Sequence, residues 1–127
     1  MRSRVVRALR PLDAVAVENP AGPGTPDVNY VEGWLELKWA RRWPKRGGML
    51  EMEHFTPQQR VWLTRRWRAG GNAHLLLQVR REWLLFRGDV AANVVGHADR
   101  AMLIAAATAH WQSGLRDQEL VECLQKT

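Results

Sequence analysis

At 127 residues, 46% hydrophobic and 25% charged, the chain has the size and balance of one ordinary globular domain rather than a disordered or fibrous segment. No apolar run reaches the ~20 residues of a membrane-spanning helix, the arginine-rich opening is too charged for the core of a secretory signal, and a single cysteine, Cys123, excludes an internal disulfide and a cysteine-based zinc site. With neither a span nor a signal core, a cytoplasmic protein is expected. The net charge of +6 is lopsided: residues 1–68 carry 13 basic and 7 acidic groups and residues 69–127 carry 6 of each, so the first half is expected to face a polyanion.

The first ten residues interleave Val5, Val6 and Leu9 with four arginines and predict a short basic helix stopped by Pro11. Asp13 to Asn19 reads as a strand, and Pro20 to Pro26 as loop. From Asp27 the pattern of Val28, Tyr30, Trp34, Leu35, Leu37 and Trp39 predicts two strands joined near Glu32-Gly33. Ala40 to His54, broken by Pro44 and Gly47-Gly48, is expected as an exposed loop in which Arg41, Arg42, Lys45 and Arg46 would meet nucleic acid and Trp43 would stack on a base. Thr56-Pro-Gln-Gln59 has the form of a capping box with proline at the first helical position, so a helix is expected from there to Gly70-Gly71. Ala73–Val79 and Glu82–Phe86 predict two more strands. A helical region over Asp99–Gln112 and Arg116–Gln125 completes the chain, with a core at about 1–90 and a helical extension at about 97–127. The order predicts an α/β sandwich with a mixed sheet. Trp34, Trp39, Trp62 and Trp83 sit in apolar patterns and are expected in the core. Of the four histidines, which lack metal-ligand spacing, His54 lies nearest the candidate site.

The hairpin carries the chemistry. On a strand, Glu36 and Lys38 share one face about 6.6 Å apart, with Leu35, Leu37 and Trp39 on the other, expected to pack into the core. Antiparallel pairing would bring Asp27 toward Glu36. Two carboxylates converging beside a backbone carbonyl form a hard-oxygen site suited to Mg²⁺ or Mn²⁺, and Lys38 beside it would hold a phosphate oxygen or orient a water. Without such a site, the pair is an exposed strand with a weak ion pair, Gln59 is only a helix cap, and the protein is a DNA-binding module or a protein-interaction domain.

Pro26-Asp27 followed by Glu36-Leu37-Lys38 resembles the signature of the PD-(D/E)XK nucleases. Together with Gly24-Thr-Pro-Asp27 and Thr56-Pro-Gln-Gln-Arg-Val-Trp-Leu63, it is similar to the small phage and prophage nucleases near the Holliday-junction resolvase and VRR-NUC branch, over about Asp13 to Gly88. The resemblance implies a restriction-endonuclease-like core with a central mixed sheet flanked by helices and a helical C-terminal tail. It implies Asp27 and Glu36 as ligands of Mg²⁺ or Mn²⁺, Leu37 as a ligand through its carbonyl, Lys38 as the catalytic lysine and Gln59 as a helix residue beside the site. It further implies a structure-selective DNA endonuclease acting as a homodimer on branched or duplex DNA in a bacterial host's cytoplasm. The sequence departs from that pattern in having no acid on the first helix; Glu18 is the nearest replacement. A non-catalytic DNA-binding relative that keeps the fold is the alternative.

Overall fold

The computed structural model describes residues 1–18 and 22–125; Asn19 of the expected first strand and Pro20 and Ala21 of the expected loop lie outside them. Six strands form one sheet in chain order: β1 (Val15–Ala16), β2 (Val28–Tyr30), β3 (Gly33–Ala40), β4 (Asn72–Val79), β5 (Glu82–Arg87) and β6 (Ala109–Trp111). All neighbours are antiparallel except β3 and β4, which run parallel with Glu36 opposite Leu75 and Lys38 opposite Leu77. Parallel neighbours cannot be joined by a tight turn, so the chain crosses over one face between them, and helix α2 (Pro57–Arg68) is that crossover. The architecture is α/β, a mixed sheet with helices on both faces.

On the α2 face, Trp62 and Leu63 pack with Leu75, Leu77, Leu84 and Phe86, joined by Ala91 of α3 (Gly88–Val94) and Leu103 of α4 (Arg100–Ala106). On the opposite face, Val5 of α1 (Arg2–Ala8) and Leu120, Val121 and Leu124 of α5 (Asp117–Gln125) cover Leu35, Leu76, Leu85, Trp83 and Trp111. Strand β4 is apolar toward both sides and buried almost throughout, as a central strand must be.

Local chemistry explains the boundaries. Thr56 accepts from the Gln59 amide N–H at 3.2 Å, while the Thr56 N–H donates to the Gln59 side chain at 2.9 Å, a reciprocal cap that starts α2. Gly70 leaves the helix at φ +91, a conformation that costs little without a Cβ. Gly33 is required by close approach: a Cβ there would lie 1.8 Å from the Asn72 carbonyl oxygen.

Three expectations are corrected. The first strand spans two residues rather than seven, because a 3₁₀ turn over Arg10–Leu12 and left-handed Asp13 (φ 54) deliver the chain late to the sheet edge. Helix α3, which begins directly after β5, was not expected. The expected helix over Asp99–Gln112 ends at Ala106, and Ala109–Trp111 is a strand: β5 offers an open edge, and pairing Trp83 with Trp111 and Leu84 with His110 outweighs the helix preference of the alanines before them. The 97–125 segment therefore completes the sheet as well as adding helices.

Glu82, at the start of β5, ties these late elements to the basic loop. One carboxylate oxygen accepts from Trp43 Nε1 at 2.7 Å and Arg100 Nε at 3.2 Å; the other meets Arg100 Nη2 at 2.9 Å and His110 Nε2 at 2.7 Å. Partial burial would raise its carboxyl's pKa, but the hydrogen bonds from Arg100, His110 and Trp43 outweigh burial and lower it. The folded state then holds its proton less tightly than the unfolded chain, so this stabilisation is present above the ordinary carboxylate range and is lost as pH falls through it. Glu82→Ala is expected to destabilise the protein by about 2 kcal/mol at pH 7, with the deficit shrinking toward pH 3, measured by urea unfolding across pH.

Candidate active site

Strand β2 covers only the first part of β3: Val28 is paired with Leu35, and beyond that the β3 edge has no strand partner among the described residues. Asp27, the residue just before β2, fills the gap with its side chain, its Oδ2 accepting the Leu37 N–H at 2.9 Å. The N–H and C=O of one strand residue project to the same side, so the Leu37 carbonyl points toward the same open edge. The expected convergence of Asp27 with the middle of β3 is thus present.

The expected burial is overturned at three positions. Glu36 and Lys38 point into the layer beneath α2 and are 1% and 8% exposed, whereas Trp39, expected in the core, is 61% exposed. Leu35 is buried and Leu37 half-buried, as the alternation predicts. The reason is that both faces of β3 are covered in its middle, while the cover of α1 and α5 does not reach its end.

Lys38 Nζ lies 3.2 Å from Glu36 Oε2 and donates to the His54 carbonyl at 2.8 Å, with the Phe55 ring centroid 5.7 Å away. Two of its three donors are therefore spent within the chain and one is left. Glu36 Oε1 is buried and has no hydrogen-bond partner among the described residues. Desolvation, then the neighbouring Asp27 carboxylate, pushes the Glu36 carboxyl up to about 8, against the opposing pull of Lys38.

An orphaned carboxylate oxygen, a second carboxylate and a strand carbonyl on the open edge make a donor set that suits a hard divalent cation, so Asp27, Glu36 and the Leu37 carbonyl fit the ion expected for them. Among the described residues no third His, Cys, Asp or Glu converges on them. Glu18, the candidate replacement for a helix acid, is exposed and pairs with Arg2 at 3.4 Å instead. Gln59 uses its side-chain oxygen in the cap of α2. Gly24, three residues before Asp27 and at φ +82, packs against the α2 start so closely that a Cβ would meet the Gln58 carbonyl oxygen at 2.4 Å and the Gln59 backbone nitrogen at 2.9 Å. Arg41, Arg42, Lys45 and Arg46 are exposed; Trp43 is half-buried with its indole N–H held by Glu82. Sequence reasoning missed the His54 carbonyl and the Phe55 ring, which steady Lys38. A backbone carbonyl has no sequence signature, and Phe55 stands alone between a loop and a cap.

No protein-family description matches the chain, and no curated protein matches it in sequence. Among solved structures it is similar to Hjc of Archaeoglobus fulgidus, a Holliday junction resolvase from an archaeal hyperthermophile, at 17% identity and a TM-score of 0.53 over 94% of this chain and 95% of that one. The two chains share one fold. The likeness includes the mixed sheet and its flanking helices, so the resolvase-like scaffold extends through the C-terminal elements and past the Asp13–Gly88 span on which the sequence resemblance rests.

The raised Glu36 carboxyl has a stability consequence. Below an ordinary value of 4.5 the group is protonated in both folded and unfolded chains; between 4.5 and about 8 the unfolded chain has released a proton that the folded chain keeps, so stability falls as pH rises through that window. Millimolar Mg²⁺ or Mn²⁺ is expected to raise Tm at pH 8 and not at pH 5, and Glu36→Gln to remove both the pH-dependent loss and the cation's effect, measured by differential scanning calorimetry.

Proposed function

We propose that the protein is a metal-dependent DNA endonuclease that hydrolyses phosphodiester bonds, selective for branched or junction DNA. The observation that carries this reading is the buried Glu36, with one oxygen unpartnered among the described residues, the other against Lys38 and the Asp27 carboxylate close by, on a fold shared with a junction resolvase. Asp27, Glu36 and the Leu37 carbonyl hold Mg²⁺ or Mn²⁺ in this proposal, and the bound ion would supply Lewis-acid polarisation and a more acidic water. Lys38, fixed by His54 and Glu36, directs its remaining donor at the scissile phosphate, where it offsets the charge that grows on the non-bridging oxygens. Burial beneath α2 strengthens that interaction, because the amine faces little competing water. Gln59 caps α2 and so fixes the Gly22–Pro26 approach to Asp27. Arg41, Arg42, Lys45 and Arg46 contribute phosphate contacts, and a homodimer provides one site for each strand of a junction.

A second reading, a DNA-binding module that has lost cleavage, is favoured by one observation: no third acid reaches the two carboxylates among the described residues. Cleavage of a labelled panel (four-way junction, 5′ flap, duplex and single strand) in Mg²⁺, Mn²⁺ or EDTA separates the two. Metal-dependent cutting of the branched substrates is expected, falling by roughly 10²–10³-fold or more in Lys38→Ala and Asp27→Ala with binding retained. Binding without cutting in any metal would select the second reading.

A further inference from the structure

Trp39 is the large apolar side chain that the fold leaves most unexpectedly in solvent. It belongs to a row across the sheet, opposite Gln78, which is opposite Trp83, which is opposite Trp111. Trp83 and Trp111 are 5% and 6% exposed beneath the helical layer, while Trp39 at the end of the row is 61% exposed. Among the described residues it makes no hydrogen bond or ring contact.

The end of the sheet around it is densely cationic. Arg41 and Arg42 follow β3 directly, and Arg80 and Arg81 form the two-residue turn between β4 and β5, one register step from the Ala40–Val79 pair. All four are exposed, and none of their guanidinium groups has a hydrogen-bond or ion-pair partner among the described residues. Arg80 sits at φ 56, where hairpins usually place Gly, Asn or Asp, so a long cationic side chain is kept at a position that backbone preference disfavours. An acidic surface partner would need no aromatic face, and a dimer contact would not gather four unpaired cations of one sign. An aromatic plane ringed by guanidinium groups fits a nucleic-acid strand with an unstacked base.

We propose that Trp39 is the stacking platform for an unpaired or unstacked base at the branch point of a DNA substrate, with Arg41, Arg42, Arg80 and Arg81 holding the flanking phosphates. The inference rests on the nuclease reading and gives that site its selectivity. Trp39 is three residues along β3 from the buried Glu36, about 10 Å, on the opposite sheet face of the same strand, whose edge β2 leaves open beyond Leu35. A strand crossing the open edge of β3 would therefore pass from one to the other. Intact duplex keeps its bases stacked and presents no free face to Trp39, whereas a junction, flap or single strand does.

The test measures binding in EDTA and cleavage in Mg²⁺ for wild type, Trp39→Ala and Trp39→Phe, using a four-way junction carrying 2-aminopurine at the branch, a matched duplex, and size-exclusion chromatography of each variant. Trp39→Ala is expected to weaken junction binding by about tenfold or more, to leave duplex binding unchanged and to abolish the 2-aminopurine quenching, while Trp39→Phe keeps most of both. Junction binding and quenching equal to wild type in Trp39→Ala, with wild-type cleavage intact, would overturn the platform and leave the nuclease reading standing. A changed oligomeric state with unaltered DNA affinity would assign Trp39 to a contact between copies and overturn it too. Wild type that neither binds nor cuts any DNA would overturn the nuclease reading and the platform together.

Discussion

Parallel pairing of β3 with β4 obliges the chain to cross the sheet between them, and the rest of the molecule follows from that constraint. The crossover helix must lie on the face that carries Glu36 and Lys38, so a carboxyl and an amine that sequence alternation assigns to a polar face are placed beneath Trp62, Leu63 and Phe55. Water is largely removed from both. The carboxyl responds by holding its proton into the neutral range, and the amine responds by gathering the His54 carbonyl and Glu36. A group kept in so unfavourable a setting lowers stability unless a positive charge arrives, which is a common mark of a site shaped for chemistry rather than for folding.

The same constraint sets the division of labour between the two faces. Helices α2, α3 and α4 close one side over the charged pair, and α1 and α5 close the other over Leu35, Leu76 and Leu85. At the β4–β5 turn, Glu82 gathers the basic loop, α4 and β6 through Trp43, Arg100 and His110, with Arg100 also lying over the Trp43 ring. One carboxylate with three partners thereby fixes the loop on which the exposed arginines stand.

Much of this was legible in the sequence because it depends on local rules. Alternation located β3, continuous apolar runs located β4 and β5, the Thr56 capping box located the start of α2, and the strand alternation put Glu36 and Lys38 on one face with Asp27 across the hairpin. What was illegible depends on distance in space. Strand β6 forms because β5 has a free edge, which nothing in Ala109-His-Trp announces. Trp39 and Glu36 exchange their expected environments because burial is decided by where helices contributed from far along the chain happen to stop. Trp43 is drawn inward by Glu82, a residue 39 positions away.

The stretch of β3 beyond Leu35 that β2 leaves unpaired has a cost as well as a use. Free N–H and C=O groups along a strand are a template to which any extended segment of another chain can add, the first step toward clumping in a crowded cell. Here that edge is guarded at one end by the Asp27 carboxylate, which occupies the Leu37 N–H, and at the other by Arg41 and Arg42, whose like charges repel a second copy. An acidic side chain at one end and basic side chains at the other thus guard a single open edge against a neighbouring sheet.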